Sequence, residues 1–175
     1  MTTASAAGRG LLTVVLIIAG CAAGKSGAVK QGAGDELVAV TLPDLQGRKH
    51  DLAALRGQVV LLDFWATWCE PCKRGLPVTE ALWRANQARG LAAFAVSADE
   101  NPQLVPAFVA AQKLGLPVLL DPNGVVAERL GGSELPYVVL IDRRGRVRAG
   151  ETGSDAAAEA RIAAKVTELL GEPAQ

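Results

Sequence analysis

The sequence predicts an α/β domain in which buried strands alternate with amphipathic helices, and two observations carry that prediction. Val59 to Phe64, Leu91 to Ser97, Val118 to Leu120 and Tyr137 to Asp142 are short, nearly continuous apolar runs, the pattern of strands covered on both faces. The segments between them carry apolar residues at helical spacing, so strand and helix take turns along the chain.

The elements follow in order. Leu37 to Leu42 reads as a short strand and Gln46-Gly47 as a turn. Val59 to Phe64 is the central strand. Val78, Ala81, Leu82 and Ala85 follow the i, i+3, i+4, i+7 rule, and Gly90 stops that helix. Leu91 to Ser97 is the next strand, Pro102 to Leu114 a helix, Val118 to Leu120 a strand and Val125 to Leu130 a short helix. Tyr137 to Asp142 turns at Arg143 to Gly145 into a hairpin partner at Arg146 to Ala149. Ala158, Ile162, Val166, Leu169 and Leu170 share one face of a last helix, with Ser154 or Asp155 as its cap and Gly171 as its stop.

The 175 residues suit one domain with a tail, and half of them are hydrophobic, enough for a sizeable core. Lys plus Arg and Asp plus Glu number 18 each, with no basic run, so nothing electrostatic points to nucleic acid. With three cysteines and one histidine, His50, a structural zinc site lacks ligands, and no metal or cofactor is expected. His50, after the Gln-Gly-Arg-Lys turn, reads as a solvated loop or edge-strand residue, and the arginines of the hairpin, Arg143, Arg144, Arg146 and Arg148, read as a solvated face.

The first 21 residues read as a targeting segment. Arg9 supplies a positive charge, and Leu11 to Ala19 is an apolar run too short to span a bilayer but suited to a signal peptide. Ile18-Ala19-Gly20-Cys21 resembles the lipobox of bacterial lipoproteins, in which the cysteine is lipidated and becomes the mature N-terminus. Residues 22–34, rich in Gly, Ala, Ser and Lys, read as a flexible tether, and 35–175 as the folded domain. The expectation is an exported, lipid-anchored, monomeric domain in the cell envelope, where an unlipidated cysteine pair meets oxidising conditions.

That pair lies in Trp68-Cys69-Glu70-Pro71-Cys72, between the central strand and a helix. A haem attachment motif would need histidine where Lys73 stands, and no second C-x-x-C exists to complete a zinc site. A strand–C-x-x-C–helix unit has a redox logic instead. Free N–H groups and the dipole at a helix start stabilise a thiolate, which is the nucleophile. Cys69, coming first, is expected to be the exposed attacking thiol, and Cys72, one turn in, the buried resolving one. Pro71 stiffens the turn without removing a needed donor. Two alternatives remain open on these residues: a copper(I)-handling module, since soft thiolates suit that ion, and a thiol peroxidase.

The run Asp63-Phe64-Trp65-Ala66-Thr67-Trp68-Cys69-Glu70-Pro71-Cys72-Lys73 resembles the active-site segment of the thioredoxin superfamily, and the longer pattern its membrane-attached TlpA/ResA-like branch. The resemblance implies a thioredoxin-like fold: a central mixed sheet flanked by helices, with an N-terminal strand extension and an αβ insertion before the strand that follows a cis-proline. It implies thiol–disulfide exchange with protein disulfides as substrates, in cytochrome c maturation or metal-site assembly, with electrons from a membrane-embedded thiol reductase. It implies that Asp63 is a buried acid exchanging a proton with Cys72, that Pro77 kinks the active-site helix, and that Trp65 is packed. It also implies that the Leu135–Pro136 bond is cis and that Trp68, Glu70, Pro71, Leu135 and Pro136 face substrate. One position departs from the pattern: Gly75 stands where ResA-like proteins carry a glutamate.

Overall fold

The computed structural model describes residues 1–2 and 39–173. Apart from residues 1–2, the targeting segment, with Cys21, and the tether therefore lie outside the described residues.

A five-stranded sheet in the order β5-β4-β3-β6-β7 forms the centre. Its strands are β3 (Val59–Trp65), β4 (Leu91–Ser97), β5 (Val118–Leu120), β6 (Tyr137–Ile141) and β7 (Val147–Thr152). β3, β4 and β5 run parallel, while β6 and β7 are antiparallel additions, so the sheet is mixed. All seven residues of β3 are buried, which is why its sequence reads as a continuous apolar run. Side chains alternate across the sheet. Val59, Leu61 and Trp65 pack with helices α1 (Glu70–Asn86) and α4 (Ala156–Gly171). Val60, Leu62 and Phe64 pack on the other face with Val40, Leu42, Leu52 and Ala127. Asp63 has the parity of the α1 face, and this puts a carboxyl beneath the helix that carries the cysteines.

The expected N-terminal strand is one half of a small antiparallel pair, β1 (Thr41–Pro43) with β2 (Lys49–Asp51). β2 was not expected, because Lys-His-Asp carries no apolar signal. It is held by Asp44, whose carboxylate accepts from Arg48 Nε and lies 2.9 Å from His50 Nε2, so His50 takes the edge-strand alternative of its two readings and has a carboxylate partner. α2 (Val105–Gln112) is shorter than the expected helix. Pro102–Leu104 forms a 3-10 turn before it, and Lys113 ends it in the left-handed region at φ 51°. α3 (Val125–Arg129) completes the αβ insertion before β6. α1 ends at Asn86 and tightens into a 3-10 turn before Gly90, which takes φ 96°, a conformation open to glycine.

Arg143, Arg146 and Arg148 correct the surface reading of the hairpin, whereas Arg144 is exposed as expected. Asp142 is buried and accepts from Arg146 and Arg148 side chains, and Arg148 also pairs with Glu172 beyond α4. Arg143 donates to the carbonyls of Gly57, Arg89 and Leu170. A buried carboxylate needs such partners, so these cations fasten the hairpin to α4. Among the described residues no helix is long and apolar enough to cross a membrane.

Candidate active site

The site forms where the C-terminal ends of β3 and β4 meet the start of α1. β3 delivers the chain to Trp65, and Ala66 to Trp68 turn it into the helix. Cys69 is the N-cap residue, with extended backbone, and its sulfur accepts from the Cys72 N–H at 3.3 Å. Pro71 occupies the first turn, where its missing N–H leaves no bond unmade. Cys69 and Cys72 are joined by a disulfide with Cα atoms 5.3 Å apart, inside the range such bridges span. Cys69 is 4% exposed and Cys72 1%. Both sulfurs are thus nearly covered in the oxidised state, and the expected contrast in exposure is small. Trp68, the residue before Cys69, is 68% exposed.

Asp63 is 4% exposed, within β3. Burial pushes its carboxyl up from 3.8 to about 6, against the opposing effect of Thr79, whose hydroxyl donates to Oδ2 at 2.6 Å. Asp63 and Cys72 line one cavity of about 260 Å³, together with Gly75, Thr79, Pro136 and Ser154. Its walls between α1 and α4 are apolar, from Val78, Leu82 and Ile162. An acid tuned near neutrality that shares a cavity with a thiol can accept its proton.

The Leu135–Pro136 peptide is cis, at the entrance to β6. Pro136 lines the cavity that reaches Cys72, and Leu135 lines a larger groove of about 870 Å³ on the other side, shared with Trp68. Asp99, Glu100, Glu128 and Glu134 also line that groove, and among the described residues no lysine or arginine does. Glu70, beside Cys69, pairs with Lys73, and that hydrogen bond holds its carboxyl below the usual range. Lys73 is therefore a partner of Glu70 rather than a solvated charge.

Three residues at the site escaped the sequence reading. Asp99 accepts from the Thr67 amide at 3.0 Å, the Thr67 hydroxyl at 2.6 Å and the Ser97 hydroxyl at 2.8 Å, so it anchors the loop leading to Cys69. Its signal was an acid directly after an apolar run, and Trp65 pairing with Ser97 brings the ends of β3 and β4 together. Thr79 lies seven residues after Cys72, two turns along the same helix face. Ser154 donates to the Pro71 carbonyl at 3.1 Å across 83 residues, a contact no local pattern signals. Asp155, not Ser154, caps α4 by accepting from the Ala158 amide. Among the described residues no group of three or more His, Cys, Asp or Glu could hold a metal ion.

Comparison with known proteins gives this geometry a lineage. A sequence profile of the AhpC/TSA family matches residues 33–150. The thiol–disulfide oxidoreductase ResA of Geobacillus thermodenitrificans is 37% identical over 113 residues, which is 65% of this chain and 65% of that protein. ResA of Bacillus thuringiensis subsp. konkukian is 35% identical over 118 residues, 67% of this chain and 68% of that one. The chain thus matches about two thirds of the length of these relatives. A Chlorobium tepidum structure assigned as the thiol:disulfide interchange protein DsbE aligns with a TM-score of 0.73 at 30% identity, covering 79% of this chain and 98% of its own. Matched by the profile over more than half its length, and at about a third identity by proteins named thiol–disulfide oxidoreductases, this chain belongs to the AhpC/TSA family, among the thioredoxin-like thiol–disulfide oxidoreductases.

Proposed function

We propose that the protein reduces disulfides in other proteins outside the cytoplasm, with Cys69 as the attacking thiol. The observation that carries this reading is the joint placement of Cys69 at the helix N-cap and Asp63 beside Cys72 in one cavity. The Cys69 thiolate attacks a substrate sulfur, forming a mixed disulfide and releasing the first substrate thiolate. Cys72 then gives its proton to Asp63 and attacks the Cys69 sulfur, releasing the second thiolate and closing the Cys69–Cys72 disulfide. Two electrons must return to the pair, and a membrane-embedded thiol reductase is the proposed donor. Trp68, Glu70, Pro71, Leu135 and Pro136 form the proposed substrate face, where an extended segment meets the Leu135 backbone.

The direction follows from charge. A strong oxidant needs a stabilised thiolate in its reduced form. Here Asp63, which shares a cavity with Cys72, ionises near pH 6, and among the described residues the groove lined by Trp68 and Leu135 carries carboxylates and no lysine or arginine. Both disfavour thiolates, which favours a reductant. Cytochrome c maturation or metal-site assembly is the proposed setting, with residues 1–21 as a lipoprotein signal peptide, Cys21 as the lipid anchor, 22–34 as a tether and 35–175 as a monomeric working domain.

The test replaces Cys72 with serine and identifies proteins disulfide-linked to Cys69 in envelope extracts, alongside insulin reduction, peroxide consumption and copper(I) binding by the unmodified protein. Trapped partners with insulin reduction support the reading. Peroxide consumption or copper(I) binding without insulin reduction would replace it with one of the two alternatives.

A further inference from the structure

Ser154 lies in the loop between β7 and α4, and its hydroxyl points back across the site. The acceptor at 3.1 Å is the carbonyl of Pro71, the second residue of α1. A carbonyl only accepts, so the Ser154 proton is committed to this bond. The same Pro71 carbonyl belongs to the peptide group whose N–H is that of Cys72. That N–H donates to the Cys69 sulfur at 3.3 Å. Ser154, the Pro71–Cys72 peptide and Cys69 therefore form one hydrogen-bonded chain running from the β7–α4 loop to the sulfur.

An amide that accepts at oxygen donates more strongly at nitrogen, because its resonance shifts electron density toward the oxygen. We propose that Ser154 is a positioning residue for thiol exchange: by polarising the Pro71–Cys72 peptide it strengthens the N–H bond that stabilises the Cys69 thiolate. The proposal rests on the reading of Cys69 as the attacking sulfur.

Three further observations fit Ser154 to this role. Its hydroxyl is not occupied in capping α4, since Asp155 does that. Its loop is pinned beside the cis-proline, where the Gly153 amide donates to the Pro136 carbonyl at 3.0 Å. Gly75 leaves it room, since a Cβ built there would stand 3.3 Å from the Ser154 Cβ, close enough that the neighbour would have to give by a few tenths of an ångström. A side chain on this turn of α1 would thus crowd the residue that makes the Ser154 contact.

The test uses the whole protein, reduced, in three versions beside the unmodified chain: Ser154→Ala, Ser154→Thr and Ser154→Val. Threonine keeps the donor. Valine matches threonine in shape, lacks the hydroxyl and keeps water from taking its place on the carbonyl. The pH dependence of alkylation at Cys69, read by mass spectrometry, gives the pKa of its thiol. Strengthening a bond to an anion by the fraction expected for linked hydrogen bonds corresponds to about 0.1–0.6 pH unit. The Cys69 pKa is expected to rise by that amount in the valine and alanine variants and to stay unchanged with threonine. The Cys72 amide proton resonance in the oxidised protein is expected to move upfield in the same two variants. Equal pKa values for valine and threonine would overturn the proposal, as would an unmoved Cys72 amide. Alkylation of Cys72 ahead of Cys69 in the unmodified protein would instead overturn the assignment of Cys69 on which the proposal stands.

Discussion

Replacing Asp63 with asparagine tests the buried acid through stability as well as through rate. The carboxyl is held at about 6 in the fold against 3.8 as its ordinary value, with burial as the leading cause. The folded state therefore binds this proton more tightly than the unfolded chain does. Stability falls as pH rises from about 4 to about 6, and above 6 the full cost of carrying a buried carboxylate is present. A shift of about two pH units corresponds to about 3 kcal/mol. Asparagine keeps an oxygen that accepts from Thr79 and has no charge to bury. In the oxidised protein neither cysteine titrates, so Asp63 is observed without coupling to a thiol. Urea melts of oxidised protein at pH 4 and pH 8 should show Asp63→Asn gaining about 2.5 kcal/mol relative to the unmodified chain across that interval. In the exchange reaction the same variant should resolve mixed disulfides more slowly at neutral pH, since Cys72 loses its proton acceptor. A stability difference that stays constant from pH 4 to pH 8 would refute the reasoning, because it would mean the carboxyl titrates alike in folded and unfolded chains.

Other expectations rest on separate contacts. Thr79→Val removes the hydroxyl that favours the Asp63 carboxylate, so the pH profile of mixed-disulfide resolution should move upward by about one unit, measured by stopped-flow exchange with a model disulfide. At Asp142, burial pushes the carboxyl up, but the Arg146 amide and the Arg146 and Arg148 guanidiniums outweigh it and hold it below its ordinary range. Asp142→Asn should cost about 2–3 kcal/mol at pH 7 in urea melts. Because that pKa is lowered in the fold, the stabilisation is present above about pH 4 and fades as pH falls below it. Cys21→Ser should abolish incorporation of labelled fatty acid and release the protein from membranes on fractionation.

The residues whose place in the fold was legible in the sequence are those whose partners lie close along the chain or whose environment is uniform. β3 and β4 read as strands because they are buried on both faces. The C-x-x-C segment declared its helix start through Pro71 and the apolar run before it. Asp63 stood out as the only charge in that run. What stayed hidden depends on distant pairing. β2 is polar and short, and it exists because Asp44 gathers Arg48 and His50. Asp99 and Thr67 are 32 residues apart, and Ser154 and Pro71 are 83 apart, so no periodicity links them. The hairpin arginines misled because composition records charge and not the buried Asp142 that needs it. The strand β7 also runs past the expected Ala149 to Thr152, since its length is set by pairing with Tyr137 at the start of β6.

Under the proposed function the Cys69–Cys72 pair is a reductant, because its carboxylate surroundings keep its thiolates from being strongly stabilised. Equilibrating the protein with glutathione or dithiothreitol buffers at pH 7, then quenching in acid and counting free thiols by mass, gives its reduction potential directly. The potential is expected nearer the thioredoxin value of about −270 mV than the oxidant value of about −120 mV. A potential above about −170 mV would contradict the charge argument and make the protein a donor of disulfides.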